Sequence, residues 1–238
     1  MGAPSTRRRT SAVVAASCAV LVLLCGCGSQ SSGDGIASQS PAHVLARARA
    51  AAADAATVHV AGSVAGPARP LSIGMELVRG EGGRGTIGAG GLRAALYQVD
   101  GWIYVKPNPS LLRALVGPAA AGSLAGRWLK APADHGPLAP LASLTDLRTV
   151  LSGALSPRGT LKTAGVQTVA GKRALALRDT ATGATLYVSS TGTPYPLAVV
   201  EPGRGGGRLV LDRWNQAVSL QAPPNPLNIK AVFSLKAL

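Results

Sequence analysis

Three cysteines, three histidines and two glycine-rich runs are the parts of this 238-residue sequence whose residue types could do chemistry. A thiol or hydroxyl beside an imidazole would make a nucleophile, and histidines four apart or paired cysteines would hold a metal. The spacing supports neither. His43, His59 and His135 fall on a helix start, a strand and a proline-flanked loop, and there is no H-x-x-x-H and no G-x-S-x-G elbow. The 10 acidic residues are scattered singly, and no cysteine follows Cys27. Gly80-Glu81-Gly82-Gly83-Arg84-Gly85 satisfies G-x-G-x-x-G by letter, but a dinucleotide fingerprint must open a helix, and here Thr86-Ile87 continues as a strand. It reads as a hairpin turn. Gly203-Arg204-Gly205-Gly206-Gly207-Arg208 is a second, basic hairpin loop, with headgroup contact as its functional alternative. The sequence therefore predicts no catalytic centre, no metal site and no cofactor.

The chemistry that the spacing does support lies at Cys27. Arg7, Arg8 and Arg9 precede an apolar run from Ala12 to Leu24, and Gly26 stands directly before the cysteine. Basic, apolar and small segments in that order form a secretory signal. Leu24-Cys25-Gly26-Cys27 resembles the bacterial lipobox, in which a diacylglyceryl group is joined to the cysteine by a thioether and the signal is cut just before it. Cys25 fits less well, because Leu24 takes the place of the small residue. The apolar run is shorter than the roughly 20 residues that span a bilayer. The expected organisation is a signal over 1–26, a lipidated Cys27 with a Ser- and Gly-rich tether over 27–40, and one domain over 41–238 on the outer side of the cytoplasmic membrane.

The charge agrees with a surface role. The chain carries a formal +14, and residues 27–238 hold 21 basic and 10 acidic side chains, a net +11. Anionic headgroups attract such a chain, whereas the exported compartment argues against nucleic acid as a partner.

The elements follow from periodicity. Ser40-Pro41 signals a helix start, and Val44, Ala48, Ala52 and Ala55 recur at helical spacing to about Ala56. Beyond Thr57 the period becomes two, with short strands separated by Gly, Pro and Asp. Leu71, Ile73, Met75 and Leu77 alternate with Ser72, Gly74, Glu76 and Val78 as the clearest half-buried strand. Asp100-Gly101 between LYQV and WIYV is a two-residue hairpin turn. A short helix at best lies between Pro109 and Gly122, and an amphipathic helix runs from Ser143-Leu144-Thr145-Asp146 to about Ser156. Seven further strands follow: 160–162, 166–169, 173–179, 185–189, 197–201, 209–214 and 218–221. They demand an antiparallel sheet. Trp102, Trp128 and Trp214 fall on strands, where either the core or a ligand cavity is a place for them.

The succession of lipobox, Ser-rich tether, Ala-rich helix, VHVAGSV, DGWIYVK, GRWLKAP, SLTDL, GTLKTAG, VAGKRALAL and TLYVSSTGTPYPLAV resembles the LppX/LprG group of envelope lipoproteins, which is similar in fold to the carrier LolA. The resemblance implies a mainly β (α+β) fold: an incomplete, strongly curved antiparallel half-barrel with helices on its open side, around an apolar cavity that holds acyl chains. The expected function is binding or carrying a lipid or other amphiphile, with Leu71, Ile73, Met75, Leu77, Trp102 and Trp128 as cavity candidates. The rival reading is a non-enzymatic structural or signalling lipoprotein, the partner of an envelope enzyme or transporter, with a filled interior.

Overall fold

Ser40 caps the first helix as expected: its hydroxyl oxygen accepts the His43 backbone N–H at 3.3 Å, and Pro41 sits in the first turn, where a missing N–H costs nothing. The computed structural model describes residues 35–66, 68–203 and 206–230. In chain order its elements are α1 (Pro41–Asp54), β1 (Thr57–Val64), β2 (Leu71–Val78), β3 (Gly82–Ala89), β4 (Leu92–Val99), β5 (Trp102–Pro107), α2 (Pro109–Leu124), β6 (Leu129–Pro132), α3 (Ala139–Ala142), α4 (Leu147–Ala154), β7 (Leu161–Val169), β8 (Lys172–Asp179), β9 (Thr185–Ser189), β10 (Pro196–Val200), β11 (Arg208–Asp212) and β12 (Leu227–Asn228). Asp100 and Gly101 join β4 to β5 at φ +52° and +73°, the left-handed pair that a tight hairpin turn requires.

The strands form one 12-stranded sheet in the order β12-β6-β5-β4-β3-β2-β1-β11-β10-β9-β8-β7. Neighbours are antiparallel except β12, which runs parallel to β6. The sheet is not closed: β7 and β12 are its two edges. It is strongly curled, because inward side chains from both ends meet in one apolar cluster. Ile103 and Val105 of β5 share that cluster with Leu175 and Leu177 of β8, and Val44, Leu45 and Ala48 of α1 and Leu147 and Leu151 of α4 fill its centre. A flat sheet would hold β5 and β8 eight strand positions apart, with seven strands between them, at about 4.8 Å per strand.

Several boundaries differ from the sequence reading; β11 stops at Asp212, so that Trp214 lies in a turn and not on a strand, and four others differ for a local reason. The stretches 160–162 and 166–169 are one strand, β7, whose register shifts between Thr163 and Val166 at a left-handed Gly165. The Pro109 run is a full helix, broken inside by Gly117 (φ +82°) and Pro118. α4 starts late, because Asp146 rather than Ser143 is its cap, accepting the Thr149 N–H at 2.7 Å. Residues 218–221 pair with no strand. They belong to a strap that leaves β11 and crosses the outer face: Thr57 donates its hydroxyl to the Gln216 carbonyl at 2.6 Å, Arg84 donates to the Ser219 carbonyl at 3.2 Å, and Leu227 then donates to the Trp128 carbonyl at 2.8 Å.

Candidate functional site

At the β7–β11 end of the curled sheet, the helical cover stops before the strands do. Leu177 (β8), Leu186 (β9), Val199 (β10) and Leu209 (β11) face inward there, yet α4 ends at Ala154 with Gly153 and Ala154 as its last small residues. The uncovered space is a cavity of about 470 Å³. Leu45 of α1 and Val150 and Leu155 of the α4 region complete its apolar wall. Ser63, Ser156, Arg158, Thr182 and Glu201 make a polar rim.

Two ties hold the rim in place. The Arg49 guanidinium donates from Nε and Nη2 to the Leu155 carbonyl at 3.1 and 2.7 Å, fixing the end of α4 to α1. Asp179, at the end of β8 and 4% exposed, accepts the backbone N–H of Arg158 at 2.7 Å and of Ala181 at 2.8 Å. These donors, Arg158 first, hold its carboxyl below the usual carboxylate range. A carboxylate so occupied presents little free charge to the cavity, and the wall behind it is aliphatic. The geometry suits the sequestration of an apolar chain; it offers no nucleophile–base pair.

The six residues expected in the cavity lie elsewhere. Met75 and Leu77 are 1% and 0% exposed and belong to the filled core, as Ile73 does at its margin. Leu71, at the start of β2, is half-buried. Trp102 and Trp128 are on the outer face: β5 turns Ile103 and Val105 inward, so Trp102 shares the opposite face with Lys106, and Trp128 lies on that same side. Lys130 stands 4.7 Å over Trp102, Lys106 stands 5.9 Å over Trp128, and Tyr97 meets Trp128 edge-on at 5.9 Å. Trp214 is half-buried against the core and stacks on Tyr195 at 4.7 Å. Sequence reading missed the wall residues because each looked like an ordinary core position. Only the early pair of small residues, Gly153-Ala154, followed by Ser156-Pro157-Arg158-Gly159 hinted that a helix stops short there.

The histidines do not converge. His59 Nδ1 lies 2.6 Å from Asp212 on the outer face, and His135 lies 2.6 Å from its neighbour Asp134. Beside His59 a shallow polar depression is lined by Glu76, Arg84, Tyr97 and Arg213, where Glu76 accepts from Arg84 at 2.7 Å and from Arg213 at 3.1 Å. The Arg84 hydrogen bond is the main reason that the Glu76 carboxyl is held below its ordinary range. Among the described residues no three His, Cys, Asp or Glu side chains are placed to hold a metal, and no helix is long and apolar enough to cross a membrane. Cys27, Arg204 and Gly205 lie outside the described residues.

No protein-family model and no curated protein matches the chain. Solved structures do. LprF from Mycobacterium bovis superposes with a TM-score of 0.55 at 13% identity, over 77% of this chain and 96% of that one. The Mycobacterium tuberculosis lipoprotein LppX is similar at a TM-score of 0.44 and 15% identity, over 76% and 100% of the two chains. A LolA superfamily protein from Nitrosomonas europaea gives 0.22 and 13%, over 78% and 96%. At such identities the likeness is one of fold, and the LprF superposition carries it: the chain has a LolA-like fold, the open curled sheet with helices in its concave side that the family resemblance implied.

Proposed function

We propose that this LolA-like chain is a lipoprotein of the LppX/LprG type that binds an amphiphile, with the apolar part of a lipid held between α4 and the inner ends of β8 to β11. The observation that carries the reading is the cavity of about 470 Å³ with an aliphatic wall and a polar rim. Its volume lies within the range of small-molecule sites. Each CH₂ removed from water contributes about 0.8 kcal/mol, so burying eight of them gives about 6 kcal/mol before the costs of association. Affinity of that kind needs area and shape rather than a specific polar contact. The headgroup would stay at the rim, near Ser156, Arg158 and Glu201. The chain would act by sequestration and release, without a chemical step, as a single domain tethered through a diacylglyceryl group on Cys27 to the outer face of the cell membrane; the domain begins before the expected residue 41, because Ile36 is buried in its core with Ala37 packed against it.

A fluorescent fatty-acyl probe tests the binding. It should be taken up by the wild-type chain, displaced by unlabelled lipid, and excluded by Ala154→Phe, which places a ring in the cavity mouth. Equal uptake by the two chains would refute the assignment of the cavity. Anchoring is tested separately by Cys27→Ala. Loss of two acyl chains should release the protein from the membrane, since a single chain holds only marginally; a variant that stays bound after a salt wash would refute lipidation at Cys27.

A further inference from the structure

Helix α2 is held firmly at one end and covered along little of its length. Its cap, Asn108, accepts the Leu111 N–H at 2.9 Å and donates to the Gly91 carbonyl at 2.9 Å, which fixes the helix start on the β3–β4 turn. Gly117 and Pro118 break it into two half-helices, and only Leu112, Ala121 and Leu124 are buried. Ala114, Leu115, Ala119 and Ala120 face outward. Leu115 is 53% exposed, more than any other large apolar side chain among the described residues. Leu92, 39% exposed, lies beside the cap, between the Gly91 carbonyl and the Arg93 N–H that Asn108 also engages.

The charges around this face have one sign. From Leu92 to Ala131 the sequence holds Arg93, Lys106, Arg113, Arg127 and Lys130 against a single carboxylate, Asp100. Arg93 stands beside the helix start and Arg113 on the helix itself, and Arg127 follows its end, donating its backbone N–H to the Leu124 carbonyl at 3.1 Å.

The geometry points to an anionic bilayer surface as the occupant of this face, with Leu92 and Leu115 entering the headgroup layer and the cations lying at the phosphates. Exposed Leu flanked by Arg and Lys is the composition of an interfacial segment. A second copy of the chain would bring the same cations against each other. A nucleic acid would use the cations and leave Leu92 and Leu115 in water. No residue of α2 lines the cavity, so the inference stands whatever that cavity binds. It is also compatible with anchoring at Cys27.

Hydrogen–deuterium exchange of the full chain, purified from its membrane and reconstituted, tests the docking face. Exchange over 109–128 should slow in vesicles containing phosphatidylglycerol relative to pure phosphatidylcholine, and α4 should not change. Arg113→Glu should weaken the response about 30-fold, two unit charges of surface attraction, and Leu115→Glu should abolish it with circular dichroism unaltered. Ser152→Glu on α4 should have no effect. Equal exchange over 109–128 in the two vesicle types would overturn the inference. So would protection in detergent that grows with protein concentration, which would give the face to a second copy.

Discussion

The β2–β5 half of the sheet and the β8–β11 half carry similar inward Leu, Val and Ala side chains, but one half is packed shut and the other is hollow. On β3 the inward positions include Gly83 and Gly85, and a Cβ at either would overlap its neighbours: Leu77 and the Glu76 carbonyl at Gly83, Met75 at Gly85. Bare backbone there lets Met75 and Leu77 lie flat and lets Thr145, before α4, reach Gln98 at 2.6 Å. At the β8–β11 end a glycine also sits at the end of the helix. Gly153 meets no atom within 4 Å of a Cβ, so the space it leaves is not taken up by a neighbour. Small residues close a core when they admit a neighbour and open one when they end an element.

This contrast is tested first by truncation. Leu77→Ala and Leu96→Ala in the packed half should each cost about 2–5 kcal/mol, because the hole left behind cannot collapse. Leu209→Ala, whose side chain already borders the cavity, should cost less than either. Denaturant unfolding of the three variants measures the order, and an equal loss in all three would mean that the hollow end is as tightly packed as the filled one.

Enlargement should invert the pattern. Met75→Trp should cost about 1–3 kcal/mol, since a well-packed core resists added volume, and should leave fatty-acyl probe binding unaltered. Ala154→Phe should do the reverse. The alternation Leu71, Ile73, Met75, Leu77 told correctly that β2 has an apolar inward face, but alternation is silent on whether a given inward face is covered. Coverage is decided by where α4 ends and where glycines lie on β3, which are tertiary facts. Likewise Ser40-Pro41 and Asp100-Gly101 were legible because their geometry is local. The strap at 218–221 was not, since its apolar residues alternate like a strand while its polar partners, Thr57 and Arg84, are distant in sequence. The outward placement of Trp102 was legible in principle, because it alternates with Ile103 and Val105 and shares its parity with Lys106.

A smaller effect concerns the rim. Asp179 has its pKa lowered by the N–H groups of Arg158 and Ala181, so it stabilises the folded chain above the unfolded carboxylate pKa of about 4. That contribution is lost as pH falls through the lowered folded value. The melting temperature of the wild type should exceed that of Asp179→Asn at neutral pH, and the gap should close in acid below pH 4. A gap independent of pH would show that the carboxylate charge is not what holds the 156–160 loop. The least effect is expected on the outer face, where Glu76→Gln weakens the pairs with Arg84 and Arg213 at a cost of about 1 kcal/mol that shrinks in high salt.

The most direct test of the hollow end is native mass spectrometry of the full chain released gently from its own membrane. The wild type should carry a noncovalent adduct that fragments to an acyl-bearing molecule, and Ala154→Phe should be recovered folded without it. A wild-type chain that flies bare and takes up no fatty-acyl probe, or an adduct that Ala154→Phe retains in full, would contradict the cavity as the site of lipid binding.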